Sequence, residues 1–486
     1  EILHPAQRLP FRFQLLGAMS LAATALAAAL ALGAPSARAE GPPNIVFIDI
    51  CSARADRFGS YGYGKGVTPR MDAFAREGAV FENALAQSSW CLPNFATLFT
   101  GQPPEVHGLY SLAFRKLPEA QVTLAQRLKE AGYDTAAYSG GTWLLPQLGL
   151  DKGFDHYVNT LTTAAKLTSL AQRKPAMLAW IDGRGKRPFF LYASIEDIHY
   201  PYLPEFQVSL VSEPDPAQVR LESESASIPL LREGAGVPAG GGSPAPILPR
   251  TTPRSAPLPE KEAKYDAALS KADRQVGLFL EDLKARGLWD DTVVIITGDH
   301  GDSLGEHGIL GHMEGLYQST VHVPLLLRHP RLPGLEGRRV PELIERVDLA
   351  PTVLDIAGAS YADLELPGRS LLSLLQGPAP PWREYAFASS KQSTEPAADL
   401  ILDQRVVRDK RWKLHWYLQK GRFELYDLAA DPREESDLSA RRPEVVSRLA
   451  FELLKNLELS RPHAPGPSSG KTQARPARLL PRPSAD

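Results

Sequence analysis

The chain of 486 residues has only two cysteines, Cys51 and Cys91. Two thiols are too few for a disulfide scaffold or for a zinc site made of cysteines alone, so each can matter only individually. The chain also lacks an excess of charge of one sign, because 54 lysines and arginines stand against 56 aspartates and glutamates, a formal net charge of −2. A general nucleic-acid-binding protein would normally be basic. We therefore expect no nucleic-acid partner.

The first 39 residues have the pattern of an export signal. Two arginines precede an apolar run from Leu15 to Leu32, which is followed by a small-residue cleavage site at Ala37-Arg38-Ala39. An uncleaved membrane anchor is the alternative, since the run is nearly long enough to span a bilayer. The many alanines and the cleavage site favour a signal peptide over residues 1–39, which leaves no stable membrane span once it is removed. The mature protein would then be periplasmic or secreted, in an oxidising compartment.

Short β-rich runs alternate with helical patterns through most of the remaining chain. The predicted strands are Asn44–Asp49, Ala79–Glu82, Asp134–Tyr138, Phe189–Ser194, Thr292–Thr297 and Val323–Arg328. A helix is predicted from Pro69 to Arg76, and the apolar residues of another are spaced for one helix face at Leu269, Ala272, Val276, Leu280 and Leu283. This alternation predicts an α/β fold with a mostly parallel sheet covered by helices on both faces.

The composition changes abruptly in two places. Residues Gly234 to Pro259 are mostly Gly, Pro, Ser and Ala, which cannot form a packed core, so we predict a mobile surface insertion. The tail over residues 461–486 is Pro-rich in the same way and is predicted to be disordered. Much of the proline content, 43 residues in all, lies in these two stretches and the N-terminal segment.

The region before the tail reads as a small unit of its own. Paired antiparallel strands are predicted at Arg411–Trp416 and Glu424–Leu428, followed by a helix from Pro443 to Leu457. We therefore expect a large domain over residues 43–385 and a small antiparallel-sheet subdomain over residues 386–460.

Four polar clusters fall at or near the ends of predicted strands. They are Asp49–Asp56, Ser88–Asn94, Glu196–Tyr202 and Gly298–Asp302, the last followed by His307 and His312. Each has an ordinary structural explanation: Asp-His-Gly can be a turn, His199 can bond backbone in a core, and a lone cysteine is often a small buried apolar residue. Ligands of open α/β sheets, however, bind beyond the carboxyl ends of the strands. Together the clusters would supply metal ligands, a nucleophile and anion-binding groups.

Ordered sequence matches run from about residue 43 to residue 457, apart from the insertion. They include PNIVFI, RADRFGSYGYG, SSWCLPNFATLFTG, WDDTVVIITGDHGDSLGEHG and FELYDLAADPREESDL. In these stretches the chain resembles the sulfatase family of the alkaline-phosphatase superfamily. The resemblance implies an α/β fold with an alkaline-phosphatase-like mixed, mostly parallel sheet between helices, and a small C-terminal α+β subdomain.

The resemblance also implies an activity and a set of site residues. It indicates a hydrolase that cleaves a small-molecule or glycan sulfate ester with one divalent metal ion, calcium in first place and manganese or zinc as alternatives. Asp299 and His300 correspond to metal ligands. Cys91 corresponds to the nucleophile, which many sulfatases convert to formylglycine. His199 and His312 correspond to groups that bind the anion and protonate the leaving oxygen.

The nucleophile motif departs from the family pattern. Most sulfatases read Cys-x-Pro-Ser-Arg where residues Cys91 to Phe95 read Cys-Leu-Pro-Asn-Phe. Phe95 therefore replaces the arginine that the converting machinery usually needs. Two states of residue 91 stay open, formylglycine and an unmodified thiol.

The first metal position also departs. The family has aspartate there, whereas an ungapped match places Cys51 at it, with Asp49 two residues earlier and on the same strand face. A hard cation such as calcium prefers oxygen, so we expect Asp49 to be the ligand, whereas Cys51 would suit a softer metal. If the resemblance holds, Cys51 and Cys91 lie close together at the metal pocket, where an oxidising compartment could link them as a disulfide.

A family lysine that contacts substrate is missing as well, because its Gly-Lys-Trp element reads Gly-Gly-Thr-Trp at residues 140–143. Arg57, Arg115 and Lys116 are the candidate replacements. Two other functions therefore stay open. One is hydrolysis of a phosphate or phosphonate ester, since Asp-His at residues 299–300 also occurs in such relatives. The other is binding of sulfated glycans by a catalytically degenerate relative.

Overall fold

The computed structural model of the chain describes residues 41–110, 116–160, 169–199, 202, 258–378, 380–392 and 402–459. The strands within these ranges are β1 (Asn44–Ile50), β2 (Ala79–Leu85), β3 (Asp134–Ser139), β4 (His156–Asn159), β5 (Phe189–Ile195), β6 (Thr292–Gly298), β7 (Ser303–Leu304), β8 (Leu310–Gly311), β9 (Leu325–Arg328), β10 (Arg338–Glu345), β11 (Ala386–Gln392), β12 (Leu402–Arg408), β13 (Trp412–Tyr417) and β14 (Arg422–Asp427).

The helices within the same ranges are α1 (Pro69–Arg76), α2 (Cys91–Thr100), α3 (Pro104–His107), α4 (Leu124–Glu130), α5 (Leu170–Gly183), α6 (Leu258–Ala285), α7 (Gln318–Val321), α8 (Leu349–Ala357), α9 (Leu372–Leu375) and α10 (Pro443–Leu459). Short 3-10 turns lie at Ala55–Arg57, Gly59–Tyr61, Thr142–Leu144, Pro146–Leu148, Trp289–Asp291, Glu306–Gly308, Arg346–Asp348 and Leu418–Lys420. Among the described residues, no helix combines the length and apolar character needed to cross a membrane.

One eight-stranded sheet forms the centre of the fold, in the order β10-β2-β9-β6-β1-β5-β3-β4. Only β9 runs against the others, because it pairs antiparallel with both β2 and β6, while the remaining pairs are parallel. The mixed, mostly parallel sheet expected from the sequence is therefore confirmed. In the register of β1, Ile50 stands beside Ile195 of β5 and Gly298 of β6. Three strands thus end level at one edge of the sheet.

Helices cover both faces of this sheet, as the alternation of patterns predicts. In β1, Ile45 and Phe47 pack into the apolar cluster on one face, and Val46, Ile48 and Ile50 pack into the cluster on the other. Residues of α2, α4 and α8 join the first cluster, and residues of α1, α5 and α6 join the second. Since side chains alternate along a strand, the residues at positions 49 and 51 face the first cluster.

A second, four-stranded antiparallel sheet follows in the order β11-β12-β13-β14. The predicted strand pair is β13 with β14. Strand β13 begins and ends one residue later than expected, and β14 begins two residues earlier and ends one residue earlier. Helix α10 packs on this sheet through a small apolar cluster of Val407, Leu414, Leu425, Leu449 and Leu453. The small antiparallel unit expected near the C-terminus is therefore confirmed.

One predicted strand differs from the structure, and three predicted segments lie wholly or mostly outside the described residues. The strand expected over Val323–Arg328 begins only at Leu325 and runs antiparallel to its neighbours. The insertion expected over Gly234–Pro259 lies outside the described residues, except that its last two residues begin α6. The signal peptide over residues 1–39 and the tail over residues 461–486 also lie outside them.

Candidate active site

The level strand ends bring together residues that are distant in sequence. Cys51 follows β1 and Asp299 and His300 follow β6, and all three side chains are buried. The Cys51 sulfur lies 4.0 Å from Nε2 of His300. The backbone N–H of Ser52 donates to Oδ1 of Asp299 at 3.0 Å. To do so, Ser52 adopts a left-handed conformation with φ +63°, which is unfavourable for a residue other than glycine.

Cys91 enters the same pocket from the first residue of helix α2. Its sulfur lies 3.1 Å from Nε2 of His300 and 3.6 Å from the sulfur of Cys51. The loop before α2 is held by Asn94, whose side-chain amide donates to the carbonyls of Ser88 and Trp90 and whose Oδ1 accepts from the N–H of Ser88. The start of a helix favours a thiolate. Cys91, as the first residue of α2, therefore lies where a thiolate is stabilised.

Four side-chain donors form a compact group that could hold a metal ion. One donor atom each from Cys51, Cys91, Asp299 and His300 lies within 4.8 Å of the others. Oδ1 of Asp299 accepts from two backbone N–H groups, those of Ser52 and His300. Its Oδ2 is buried without a hydrogen-bond partner. An orphaned carboxylate oxygen beside an imidazole and two thiols is the arrangement expected at a cation site.

Two more histidines lie on the other side of Cys91. Donor atoms of Cys91, His199 and His312 form a second group within 4.8 Å. The hairpin of β7 and β8 places Asp302 beside His312, so that Nδ1 of His312 and Oδ1 of Asp302 are 3.2 Å apart. Nε2 of His312 is then directed away from this carboxylate. Three imidazoles therefore surround Cys91, because the rings of His300 and His312 also lie 4.4 Å apart.

The two thiols have opposite acidities. A hydrogen bond from Cys51, the charge of His300 and a hydrogen bond from His199 hold the pKa of Cys91 well below its ordinary value. The same hydrogen bond, together with burial and the charge of Asp299, raises the pKa of Cys51. Of the two thiols, Cys91 is therefore the one that loses its proton first.

The acids and bases around the thiols are also displaced from their ordinary pKa values. Burial raises the pKa of Asp299 to about 7, against the opposing charge of His300. Burial lowers the pKa of His312, but Asp302 and Cys91 outweigh it and raise that pKa to about 10. His312 is thus an imidazolium at neutral pH and can donate a proton.

Asp49, which we expected to be a metal ligand, lies outside both donor groups. It points to the same sheet face as Cys51, but its carboxylate forms a buried ion pair with Arg346 and accepts from Tyr192 at 3.1 Å. Its Oδ1 has no hydrogen-bond partner. Cys51 takes the position in the donor group that the family gives to aspartate.

Arg346 is a site residue that the sequence did not point to. Besides Asp49, it donates to the carbonyls of Asn94 at 2.8 Å and Gly298 at 3.0 Å. One guanidinium therefore joins the end of β1, the first turn of helix α2 and the end of β6. The signal was weak, since a single arginine directly before the stretch VDLAPTVLDIAG carries no pattern of its own.

The candidate replacements for the missing lysine have other partners. Arg57 pairs with Glu262 of α6 at 2.8 Å. Lys116 lies 3.8 Å from Glu119 and is largely exposed, and Arg115 lies outside the described residues. Within the described part of the chain, a different cation reaches this end of the sheet, since buried Arg173 donates to Glu196 at 2.8 Å. Its Nε and Nη1 groups have no hydrogen-bond partner.

Comparison with known proteins identifies the family to which the chain belongs. The family model for sulfatases matches residues 43–359, and the model for the C-terminal region of N-sulphoglucosamine sulphohydrolase matches residues 305–460. The chain belongs to the sulfatase family. This is a family of sulfuric ester hydrolases that generally bind a divalent metal, so the resemblance seen in the sequence is confirmed.

One relative by sequence and two solved structures with a similar fold illustrate what the chain resembles. An arylsulfatase from Clostridium perfringens is 24% identical over 476 residues, which cover 86% of this chain and 94% of the relative. A neighbour solved in complex with its substrate D-glucosamine-2-N,6-O-disulfate has a TM-score of 0.64 and 22% identity, covering 87% of this chain and 99% of its own. A phosphonate monoester hydrolase of Agrobacterium radiobacter has a TM-score of 0.63 and 23% identity, covering 86% and 95%.

The sulfatase nucleophile motif is altered here in a structurally consistent way. Phe95, which stands where most sulfatases have arginine, is 2% exposed and packs in the apolar cluster of the first sheet face. It is therefore a core residue, and its side chain cannot anchor the group at residue 91 by a charged contact.

Proposed function

We propose that the chain hydrolyses a sulfate ester with Cys91 as the nucleophile. The observation that supports this most directly is that its sulfur belongs both to the group of donors that could hold a metal ion and to the group with the imidazoles of His199 and His312. A nucleophile needs an activated anion on one side and a proton donor for the leaving group on the other. Cys91 has both.

The first half of the reaction transfers the sulfuryl group to the protein. The Cys91 thiolate attacks the ester sulfur, a new S–S bond forms, and the bond from sulfur to the ester oxygen breaks with its electron pair on the leaving oxygen. His312, held as an imidazolium by Asp302, gives that oxygen its proton. His199, whose ring centroid is 4.8 Å from that of His312, stands on the same side of the thiolate and would bind the anion.

The second half returns the protein to its starting state. A water molecule attacks the sulfuryl sulfur, and the bond to Cys91 breaks with its electron pair on the thiolate. Hydrogen sulfate leaves and loses its remaining proton to solvent. His312, now neutral, accepts the proton of the attacking water. The same residue therefore acts first as an acid and then as a base.

The divalent metal of the family would be held by Cys51, Cys91, Asp299 and His300. When bound, it would withdraw negative charge from the ester oxygens. Calcium is the ion expected from the resemblance, yet by the general rule it takes about six to eight oxygen ligands. Only Asp299 in this group offers oxygen, so the donors do not fit calcium.

A phosphate or phosphonate ester is the second candidate substrate. His300 directly follows Asp299, and both belong to the donor group. An Asp-His pair at this position also occurs in relatives that cleave phosphate or phosphonate esters. A thiolate nucleophile and an imidazolium donor would also serve transfer to phosphorus. The third option, glycan binding without turnover, requires that Cys91 does not react.

One experiment separates the three options. The purified full chain is assayed with an aryl sulfate, an aryl phosphate and an aryl phosphonate ester of the same phenol, with each divalent ion added in turn. We expect the sulfate to give the highest kcat/KM, and Cys91→Ala to lower it at least about a thousandfold. Ser88→Ala is the control, because this neighbouring hydroxyl has no hydrogen-bond partner.

Other outcomes would assign the chain differently. Preference for the phosphorus esters would favour the second candidate, and retained turnover in Cys91→Ala would refute the nucleophile. No turnover, together with binding of a sulfated glycan, would indicate the degenerate relative. A mass spectrum of the peptide that carries Cys91 should show an unmodified cysteine, whereas formylglycine would make the peptide lighter.

We also propose that the protein is exported and acts outside the cytoplasm on a small-molecule or glycan sulfate ester. The export signal over residues 1–39 and the glucosamine disulfate bound by one structural neighbour support this proposal.

A further inference from the structure

We propose that Cys51, Cys91, Asp299 and His300 form a four-coordinate site for a thiophilic divalent ion of the zinc type, in place of an oxygen-ligated calcium site. The inference concerns the same pocket as the proposed function and deepens it. Metal binding can nevertheless be measured without substrate, so the two stand or fall separately.

The chemistry of the donors is the first argument. The group offers two sulfur atoms, one imidazole nitrogen and one carboxylate oxygen. Thiolate and imidazole ligands select zinc, whereas calcium and magnesium are bound by oxygen. Asp49 does not restore an oxygen-rich site, because its charge is already neutralised by the buried ion pair with Arg346. The chain has two cysteines, and both belong to this donor group. The site therefore combines sulfur, nitrogen and oxygen ligands.

The spacing of the donor atoms is the second argument. Tetrahedral zinc with ordinary bond lengths would separate two sulfurs by about 3.8 Å, sulfur and nitrogen by about 3.5 Å, and nitrogen and oxygen by about 3.3 Å. The two sulfurs are 3.6 Å apart, and Nε2 of His300 lies 3.4 Å from Oδ2 of Asp299. Nε2 of His300 lies 3.1 Å from the sulfur of Cys91 and 4.0 Å from the sulfur of Cys51. Shifts of about half an ångström would complete the tetrahedron.

The surroundings of the ligands are the third argument. Nδ1 of His300 lies 2.7 Å from the carbonyl of Gly301, and donation to it leaves the lone pair of Nε2 directed at the sulfurs. Such an outer hydrogen bond is typical of metal-binding histidines. A side chain at Gly301 would collide with the carbonyl of Ser319 at 2.1 Å, so glycine is needed for the loop to carry His300 here. Oδ2 of Asp299, buried without a partner, is the remaining ligand atom.

A disulfide between the two cysteines is the competing state. In the structure both are free thiols, and the sulfur separation of 3.6 Å is well above the bond length of about 2 Å. The separation is instead that of two ligands of one ion. A bound ion would also slow oxidation of both thiols, since coordination to a cation withdraws electron density from each sulfur.

The test measures metal binding to the full chain. The reduced protein is stripped with a chelator and titrated with zinc, calcium, manganese and cobalt, and bound metal is counted by mass spectrometry. We expect one zinc per chain that an excess of calcium does not displace. Cobalt should give the charge-transfer absorption of a cobalt–thiolate bond, and that absorption should weaken in Cys51→Ser and in Cys91→Ser.

Two further variants sharpen the result. His300→Gln should weaken zinc binding at least about tenfold, whereas His322→Gln should leave it unchanged, because Nε2 of that histidine lies 2.8 Å from the carbonyl of Glu82 and outside the donor group. Cys51→Asp restores the family's carboxylate. It should lower zinc affinity and raise calcium or manganese affinity at least about tenfold relative to the starting chain.

Calcium binding without a cobalt–thiolate band, or a pair of thiols that become titratable only after reduction, would overturn the inference. Both measurements use the unaltered chain, so they hold even if a variant fails to fold. Zinc binding without turnover of any ester would leave the metal site standing and refute the proposed function. Turnover of an ester by a chain that binds neither zinc nor cobalt would leave the proposed function standing and refute the metal site.

Discussion

Cys51 and Cys91 illustrate how one pocket gives two identical side chains different tasks. Cys91 has a hydrogen-bond donor in Cys51 and positive charge in His300, which stabilise its thiolate. Cys51 faces the carboxylate of Asp299, which opposes a second negative charge. The difference between the two pKa values therefore arises from the neighbours of each thiol. Removing one cysteine should change the pKa of the other.

This difference can be measured in the stripped protein. Because its pKa is lowered, Cys91 should be ionised at pH values at which an ordinary thiol is still protonated. Ultraviolet titration should thus show about one thiolate per chain at neutral pH. In Cys51→Ala the hydrogen bond is lost, and the pKa of Cys91 should rise. Two thiols that ionise together near the ordinary pKa in the unaltered chain would contradict this assignment.

The residues of the pocket were predictable to different degrees. Cys91, Asp299 and His300 could be found because each directly follows a strand or precedes a helix pattern. Arg346 could not, since its three partners come from distant segments and no local pattern records them. Between Asp49 and Cys51, the preference of calcium for oxygen favoured Asp49, but the buried Arg346 occupies that carboxylate.

At the scale of elements, strand β13 carries a buried charged group that joins the small sheet to the main body. Nζ of Lys413 lies 2.9 Å from Glu434, and Nε2 of His415 lies at the same distance from the same oxygen. The other oxygen of Glu434 accepts from the N–H of Gln318, at the start of α7. Burial raises the pKa of Glu434, but Lys413 and His415 outweigh it and hold that pKa at about 2.

Loss of this carboxylate should therefore be strongly destabilising. Glu434→Gln leaves Lys413 buried without a counter-charge, and we expect the free energy of unfolding to fall by about 3 kcal/mol. Glu435→Gln, at an exposed neighbouring position, should change it by less than about 0.5 kcal/mol. Denaturant unfolding at neutral pH measures both. Equal effects of the two variants would show that the buried group does not stabilise the small sheet.

The pH dependence of the same variant has a definite sign. The pKa of Glu434 is below its ordinary value of 4.5, so its stabilisation is present above that pH and is lost as the pH falls toward about 2. The stability difference between the unaltered chain and Glu434→Gln should accordingly shrink below pH 4.5. Thermal unfolding of both proteins from pH 7 down to about pH 2.5 would measure this trend.

Elements were easier to predict than their directions. Strands β1, β5 and β6 each end within one residue of the predicted position, because each is a continuous apolar run that ends in polar residues. Strand β9 has the same kind of composition but runs antiparallel. The direction of β9 depends on the path of the chain between the end of β6 and the start of β9. Amino-acid composition does not predict that path.

For the whole molecule, export is the prediction that remains to be measured. Expressed with residues 1–39 in a bacterial host, the chain should be recovered from the periplasm or medium with a new N-terminus near Glu40, as read by mass spectrometry of the intact protein. Ala39→Leu removes the small residue next to the cleavage site and should block processing. A full-length chain in the membrane fraction would instead support the uncleaved anchor.

The long reach of the pocket has a consequence for how the protein is made. The two thiols are 40 positions apart, but Cys91 and His300 are separated by 209, so both sulfurs leave the ribosome long before their imidazole and carboxylate neighbours. Asp299 and His300, two of the four donors of the proposed metal site, are therefore synthesised after both cysteines. We expect metal to enter that site only after strand β6 has joined the sheet, as one of the last steps of maturation.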